Sequence, residues 1–367
     1  MILCDSGKVP GVANGRGQGL NGRKPLQKGS AKVRNLGFGQ RSRGAAAAVL
    51  LAGSLMLGGS SALAQDADLS ALTGSITSDG SSTVGPLTQA AAEEFIGSAP
   101  NVQVSVDISG TGGGFKRFCD GEIDVQNASR AIKDEEAANC AANGVDWYEF
   151  EVAYDGITVV TNKENTWATC LTVDQLKQLW QKESPAMTWA DLNPEWPADP
   201  ISLYGPGTDS GTFDFFVESI LGEDDIREDF QPSEDDNVLV SGVAGDVNAL
   251  GYFGLAYYEA NQDTLNAVGV DNNTGECVTP SQETVQDGSY APLSRPLFVY
   301  VSAPSLERPE VQEFMRFYLQ NAAELAPEVG YVASPEEVYT ADMEAFEADV
   351  AGEGTPDSQQ VMATPAA

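Results

Sequence analysis

Residues 86–108, PLTQAAAEEFIGSAPNVQVSVDI, place a helix pattern directly before a strand pattern. Residues 86–95 read as a helix with Pro86 in its first turn, where the missing amide hydrogen has no intrahelical partner to lose. Val102, Val104, Val106 and Ile108 then alternate with polar residues, as in a strand with one buried face. From Gly74 onward this alternation of strand-like and helix-like segments continues, the pattern of an α/β fold. Further helices are expected at 115–119, 134–142, 173–180, 212–221, 243–250 and 309–321, and strands at 123–128, 157–161, 201–204 and 297–301. Ser334-Pro335-Glu336-Glu337 reads as a capping box opening a last helix. After about Val350 the chain is small and polar, so residues 350–367 are expected to be a disordered tail.

No internal repeat or Pro-rich or Ser-rich linker divides the chain. Two lobes joined by crossing strands account for that. The crossings are expected near 152–156 and 293–298, giving a discontinuous first lobe (65–152 plus 298–349) and a second lobe at 153–297.

Composition removes several function classes. The 367 residues contain 54 Asp and Glu, 20 Lys and Arg, and no histidine. Without an imidazole there is no Ser-His-Asp triad, no Cys-His pair and no His-ligated zinc or haem. A net charge of −34 argues against nucleic acid, whose backbone is bound by neutralising it.

Residues 1–64 hold nine basic side chains and one acid, Asp5, and end in the apolar run AAAAVLLAGSLML at 45–57. That is the length of a signal-peptide core and short for a bilayer span. Ala62-Leu63-Ala64 supplies the A-x-A form, so cleavage after Ala64 and export are expected. Subtracting the leader leaves 11 basic and 53 acidic residues, a net −42. Such acidity suits a salty medium, where dense carboxylates keep a protein soluble.

Cys4 leaves with the leader, and Cys119, Cys140, Cys170 and Cys277 remain, an even number suited to an oxidising compartment. Three pairings can be drawn. Cys119 with Cys140 and Cys170 with Cys277 is favoured, because the first closes a short local loop and the two bridges then lie in separate halves of the chain. A four-cysteine metal site lacks any C-x-x-C pair.

Gly17, Gly19 and Gly22 spell G-x-G-x-x-G, but no strand precedes them and they lie in the leader. Three Gly, Ser and Thr-rich loops sit instead between an expected strand and an expected helix: SDGSSTVGP (78–86), SGTGGGFKRF (109–118) and GPGTDSGTFDFF (205–216). At a helix start the first amides lack partners and carry partial positive charge, so they and nearby hydroxyls can bind an anion. Any one loop is equally a turn with an N-cap; three together can surround a tetrahedral oxyanion. Arg130, just after the strand expected at 123–128, adds a fork for two oxyanion oxygens, the alternative being a surface salt bridge.

With these loops, the stretch 74–301 resembles the periplasmic phosphate-binding proteins of ABC phosphate importers, the PstS-like family. The resemblance implies a class II periplasmic-binding-protein fold, two lobes hinged by crossing strands and closing on inorganic phosphate. It also implies a membrane permease as partner, no cofactor and no enzymatic activity; a monomer is expected. The family's first loop matches Ser82, Thr83 and the amide of Val84. Its Ser/Thr-Gly-Gly loop matches Thr111, and its D-S-G-T loop matches Ser210, Gly211 and Thr212. In the best-known branch an aspartate stands in the place of Arg130 and an arginine where this chain has Pro206. The sequence resembles another branch, with NASR followed by GPGTDSGT, in which the two charges are exchanged between lobes. Asp209, beside that donor run, is then the expected acceptor of the phosphate proton, with Asp79 second. Two rival readings follow from the same residues: a phosphatase or phosphoryl-transfer enzyme using Ser82 or Ser210 as nucleophile, and a binding protein for sulfate or molybdate. A third is an adhesive or assembly protein working through its acidic surface.

Overall fold

The computed structural model describes residues 69–222 and 224–359; the expected leader and its cleavage site lie outside them. The first half runs β1 (Thr73–Gly80), α1 (Gly85–Ser98), β2 (Asn101–Val106), α2 (Thr111–Cys119), β3 (Val125–Ala128), α3 (Asp134–Asn143), β4 (Trp147–Asn162), β5 (Cys170–Thr172) and α4 (Val173–Trp180). Next come α5 (Trp189–Leu192), β6 (Ser202–Gly205), α6 (Gly211–Phe216), β7 (Gln231–Pro232), α7 (Asp236–Ala244), β8 (Ala249–Gly254) and α8 (Leu255–Glu259). The chain ends with β9 (Leu265–Ala267), β10 (Gly269–Asp271), α9 (Gln282–Gln286), β11 (Ser294–Ser302), α10 (Ala303–Leu306), α11 (Pro309–Glu328) and α12 (Glu336–Val350).

One continuous sheet runs β2-β1-β3-β11-β4-β8-β6-β7, with β9 also on β4 and a separate β5–β10 pair. β1 is parallel to β2 and β3, whereas β11 is antiparallel to β3 and β4. The 16-residue β4 passes from one hydrophobic core to another. Ala153 and Leu297 belong to the first core, with Phe95, Val299, Phe314 and Tyr318. Ile157 and Leu293 belong to the second, with Trp180, Trp189, Phe216 and Tyr252. The core therefore changes within a few residues on both β4 and β11, and these strands cross between two α/β lobes. Val332, between α11 and α12, packs with the second core and bridges to Tyr154 at the crossing.

Local chemistry explains several element ends. Thr172 and Gln175 make a reciprocal capping box at the start of α4, at 3.1 and 2.9 Å. In β2, Val102 is buried and its neighbours face out; the strand ends at Val106, leaving Ile108 exposed. Cys119 is bonded to Cys140 and Cys170 to Cys277.

Three expectations are corrected. The helix at 243–250 does not form: α7 ends at Ala244, Asp246 accepts from the Asn248 amide in a tight turn, and β8 follows. Ser334 does not cap α12, because its hydroxyl donates to Glu151 at 2.8 Å. The tail is ordered at least to Gln359: Asp357 accepts from the Glu149 amide at 2.8 Å, and buried Ser358 donates to Asp146 at 2.7 Å. Among the described residues no helix is long and apolar enough to cross a membrane.

Candidate functional site

A cavity of ≈ 550 Å³ opens where the loops of the first lobe face α6 of the second. The β1–α1 loop contributes Ser81, Ser82 and Thr83, and the start of α2 contributes Gly110, Thr111 and Gly112. Ser129, Arg130 and Lys133 come from the loop after β3. The second lobe supplies Asp214, Phe215, Glu218 and Ser219, and β11 supplies Arg295.

Ser81 Oγ accepts from the amides of Thr83 (3.1 Å) and Val84 (3.4 Å), so this hydroxyl caps the turn into α1. The Val84 amide, expected to face the anion, is thereby occupied, and the Val84 side chain is fully buried. Ser82 and the buried Thr83 also border the cavity. The start of α2, where Gly110, Thr111 and Gly112 line the cavity, has no side-chain cap on its first amides. Thr111 Oγ1 lies 3.1 Å from Ser129 Oγ, a hydroxyl pair on the same wall.

Arg130 makes a bidentate contact with Glu136, at 2.8 Å on both arms. Burial pushes the Glu136 carboxyl up, but the bonds from Arg130 and the Lys133 amide outweigh it and hold it below the ordinary range. The guanidinium is thus fixed at the cleft wall while its side chain stays partly exposed. Arg295 is the basic residue that the loop motifs did not point to. It donates to Thr83 Oγ1 at 2.9 Å and to Asp155 at 3.3 Å, and its Cζ lies 3.7 Å from the Phe215 ring centroid. A cation inside a short, Pro-flanked apolar strand, in a chain with 11 basic residues after position 64, was the available signal.

The second-lobe loop behaves differently from expectation. Asp209, Ser210, Gly211 and Thr212 do not line the cavity. Ser210 Oγ accepts from the Thr212 amide at 3.2 Å and caps α6, so its hydroxyl serves the helix. Gly211 packs directly on the first lobe: a Cβ there would lie 2.6 Å from Thr83 Oγ1 and 2.7 Å from Thr83 Cα. Asp209 lies outside the cavity lining, its backbone amide donating to Glu234 at 3.4 Å. One turn into the helix, Asp214 enters the cleft and accepts from Ser82 Oγ at 3.1 Å. Asp79 is excluded as a ligand group by its bonds from Ser109, Arg117 and the Gly80 amide. Burial raises its carboxyl, but these bonds prevail and hold it low.

Two lobes enclosing a cleft rich in hydroxyls and guanidinium groups define a solute receptor of the periplasmic-binding-protein class. The family model described as "PBP superfamily domain" matches residues 64–322. The Synechocystis protein named SphX is 49% identical over 269 residues, 72% of this chain and 80% of that protein. The phosphate-binding protein PstS of Staphylococcus saprophyticus is 41% identical over 268 residues, 73% of this chain and 82% of that one. The crystal structure of a "possible phosphate binding protein" from Planctomyces limnophilus superposes with a TM-score of 0.72 at 47% identity, covering 76% of this chain and 99% of the other. The chain belongs to the PBP superfamily and, within it, to the PstS-like family.

Proposed function

We propose that the chain captures inorganic phosphate between its lobes and delivers it, chemically unchanged, to the membrane permease of an ABC importer. The observation that supports this most is the first-lobe wall. The hydroxyls of Thr83, Thr111 and Ser129, the uncapped start of α2 and the fixed guanidinium of Arg130 converge on one small volume. A tetrahedral anion needs many short donors from several directions, and this wall provides them without a large local excess of charge. Asp214 faces it and accepts a hydrogen bond from a protonated phosphate oxygen, which sulfate at neutral pH does not have. Ser82 lines the cleft with its hydroxyl on Asp214, while Val84, Asp209, Ser210, Gly211 and Thr212 lie outside the lining and shape the loops around it.

Residues 1–64 direct export, and the receptor works as an extracytoplasmic monomer. Catalysis is not part of the reading: Ser82 has a carboxylate neighbour, Asp214, but the chain contains no histidine to serve as a stronger base. Calorimetric titration with phosphate, sulfate and molybdate tests the proposal, with saturable binding of phosphate alone expected. Equal binding of sulfate would make this a general oxyanion receptor. Hydrolysis of a chromogenic phosphomonoester, with or without divalent metal, would replace the receptor by an enzyme.

A further inference from the structure

Arg295 and Asp155 stand directly opposite each other in the β11–β4 register, between the residues at which the core changes lobe. Asp155 is 1% exposed, and the Arg295 side chain is 14% exposed. From this crossing point the guanidinium reaches both sides of the cleft. It donates to Thr83 Oγ1 in the first lobe, at 2.9 Å. In the second lobe it covers the Phe215 ring and lies 3.7 Å from a Glu218 oxygen. The other ion pairs of the described residues stay within one lobe.

We propose that Arg295, held by Asp155, is a positioning residue that couples anion occupancy to closure of the second lobe. The inference rests on the phosphate reading above. A threonine hydroxyl has one proton and can accept as well as donate. When Thr83 accepts from Arg295, its proton is left to point at the anion, and each of the two bonds polarises and strengthens the other. The same guanidinium is seated on Phe215, so a ligand on the first lobe favours the position in which the second lobe covers it. By linkage, a closed second lobe raises the affinity for the anion by the same factor. Asp155 supplies the fixed end. Buried opposite Arg295 and 3.3 Å from its guanidinium, this carboxylate ties the cation to the crossing strands. Arg295 Nε is buried with no hydrogen-bond partner, so the group is not saturated by the hinge alone.

The test compares the full-length wild type with two variants, by calorimetry and by X-ray scattering with and without saturating phosphate. Arg295→Ala would leave Asp155 buried and unpaired and could fail to fold. The variants are therefore Arg295→Lys, which keeps the charge opposite Asp155, and the double change Arg295→Gln with Asp155→Asn, which leaves no buried charge. A wild type that binds phosphate and contracts supports the phosphate reading. Both variants are then expected to bind phosphate about tenfold more weakly, and at saturation to lose most of the contraction. A purely structural role would shift the melting temperature and leave ligand-induced contraction intact. Full contraction with affinity within about twofold of wild type, in either variant, overturns the inference while leaving the phosphate reading in place. A wild type that does not bind phosphate removes both.

Discussion

Two arginines of the first lobe separate affinity from stability. Arg130 is fixed at the cleft wall by Glu136, whereas Arg308 pairs with Asp124 at 2.7 Å away from the cleft. Arg130→Ala is expected to weaken phosphate binding roughly thirtyfold, the loss of a charge-assisted contact costing about 2 kcal/mol. Arg308→Ala is expected to lower the melting temperature without changing affinity; equal affinities for the two variants would remove Arg130 from the site. Asp214 and Asp209 make a second contrast. Asp214→Asn should admit sulfate, because an amide can donate where a carboxylate only repels, while Asp209→Asn should still exclude it. Competition of sulfate against phosphate measures both, and sulfate exclusion by Asp214→Asn would refute the assignment. The sequence made the first-lobe donors legible because Thr83, Thr111 and Arg130 each sit at a strand end beside a small-residue loop. It pointed to Asp209 as the cleft carboxylate, whereas Asp214, about one helical turn on, lines the cavity, since adjacency to Ser210 does not fix which face a side chain takes. It hid Arg295 because that side chain reaches the cleft from a strand more than 200 positions away from its partner Thr83.

At the scale of elements, the C-terminal segment closes a sheet edge. Between Trp147 and Gly156, β4 pairs with β11 on one side and on the other meets only the Tyr154–Val332 bridge, its pairing with β8 beginning at Ile157. Carboxylates take the place of a neighbouring strand: Asp342 of α12 accepts from the Glu151 amide at 2.9 Å, and Asp357 from the Glu149 amide. Tail composition alone suggested disorder because it carries no information about the partners that β4 offers. Burial raises Glu149, Glu151 and Asp357, and it pushes Asp349 up to about 6 and Asp342 up to about 7. A carboxyl with a raised folded pKa holds a proton that the unfolded chain releases. Its contribution is complete below the ordinary carboxylate range and is lost as pH climbs from about 4 through about 7. Asp79, Asp124 and Glu136, held low in the fold, act in the opposite sense and lose their contribution only as pH falls below that range. Asp342→Asn keeps an acceptor for the Glu151 amide and removes the charge. Its melting temperature should match wild type at pH 4 and exceed it by roughly 2 °C at pH 8; parallel curves across that interval would exclude this role for Asp342.

Across the whole molecule, near and far electrostatics oppose each other. The segment after residue 64 carries a net −42, from 11 basic and 53 acidic side chains. Inside the cleft Arg130, Lys133 and Arg295 face Asp214 and Glu218, and Glu136 and Asp155, bonded to the two arginines, offset that positive charge. Once bound, phosphate is within a few ångströms of its donors, and short charge-assisted bonds set how fast it leaves. On approach it meets the field of the entire surface, which is repulsive beyond the cleft mouth. Salt screens charges separated by more than about 10 Å at 0.1 M and leaves the bonded contacts nearly untouched. Added sodium chloride is therefore expected to raise the association rate and to change the dissociation rate little, so that affinity improves modestly with ionic strength. A receptor with a basic collar would show the reverse. Stopped-flow measurement of phosphate association across a range of salt concentrations distinguishes the two. Rates that fall as salt rises would mean that the guanidinium groups of the cleft, focused by low-dielectric walls, outweigh the acidic surface in guiding the anion in.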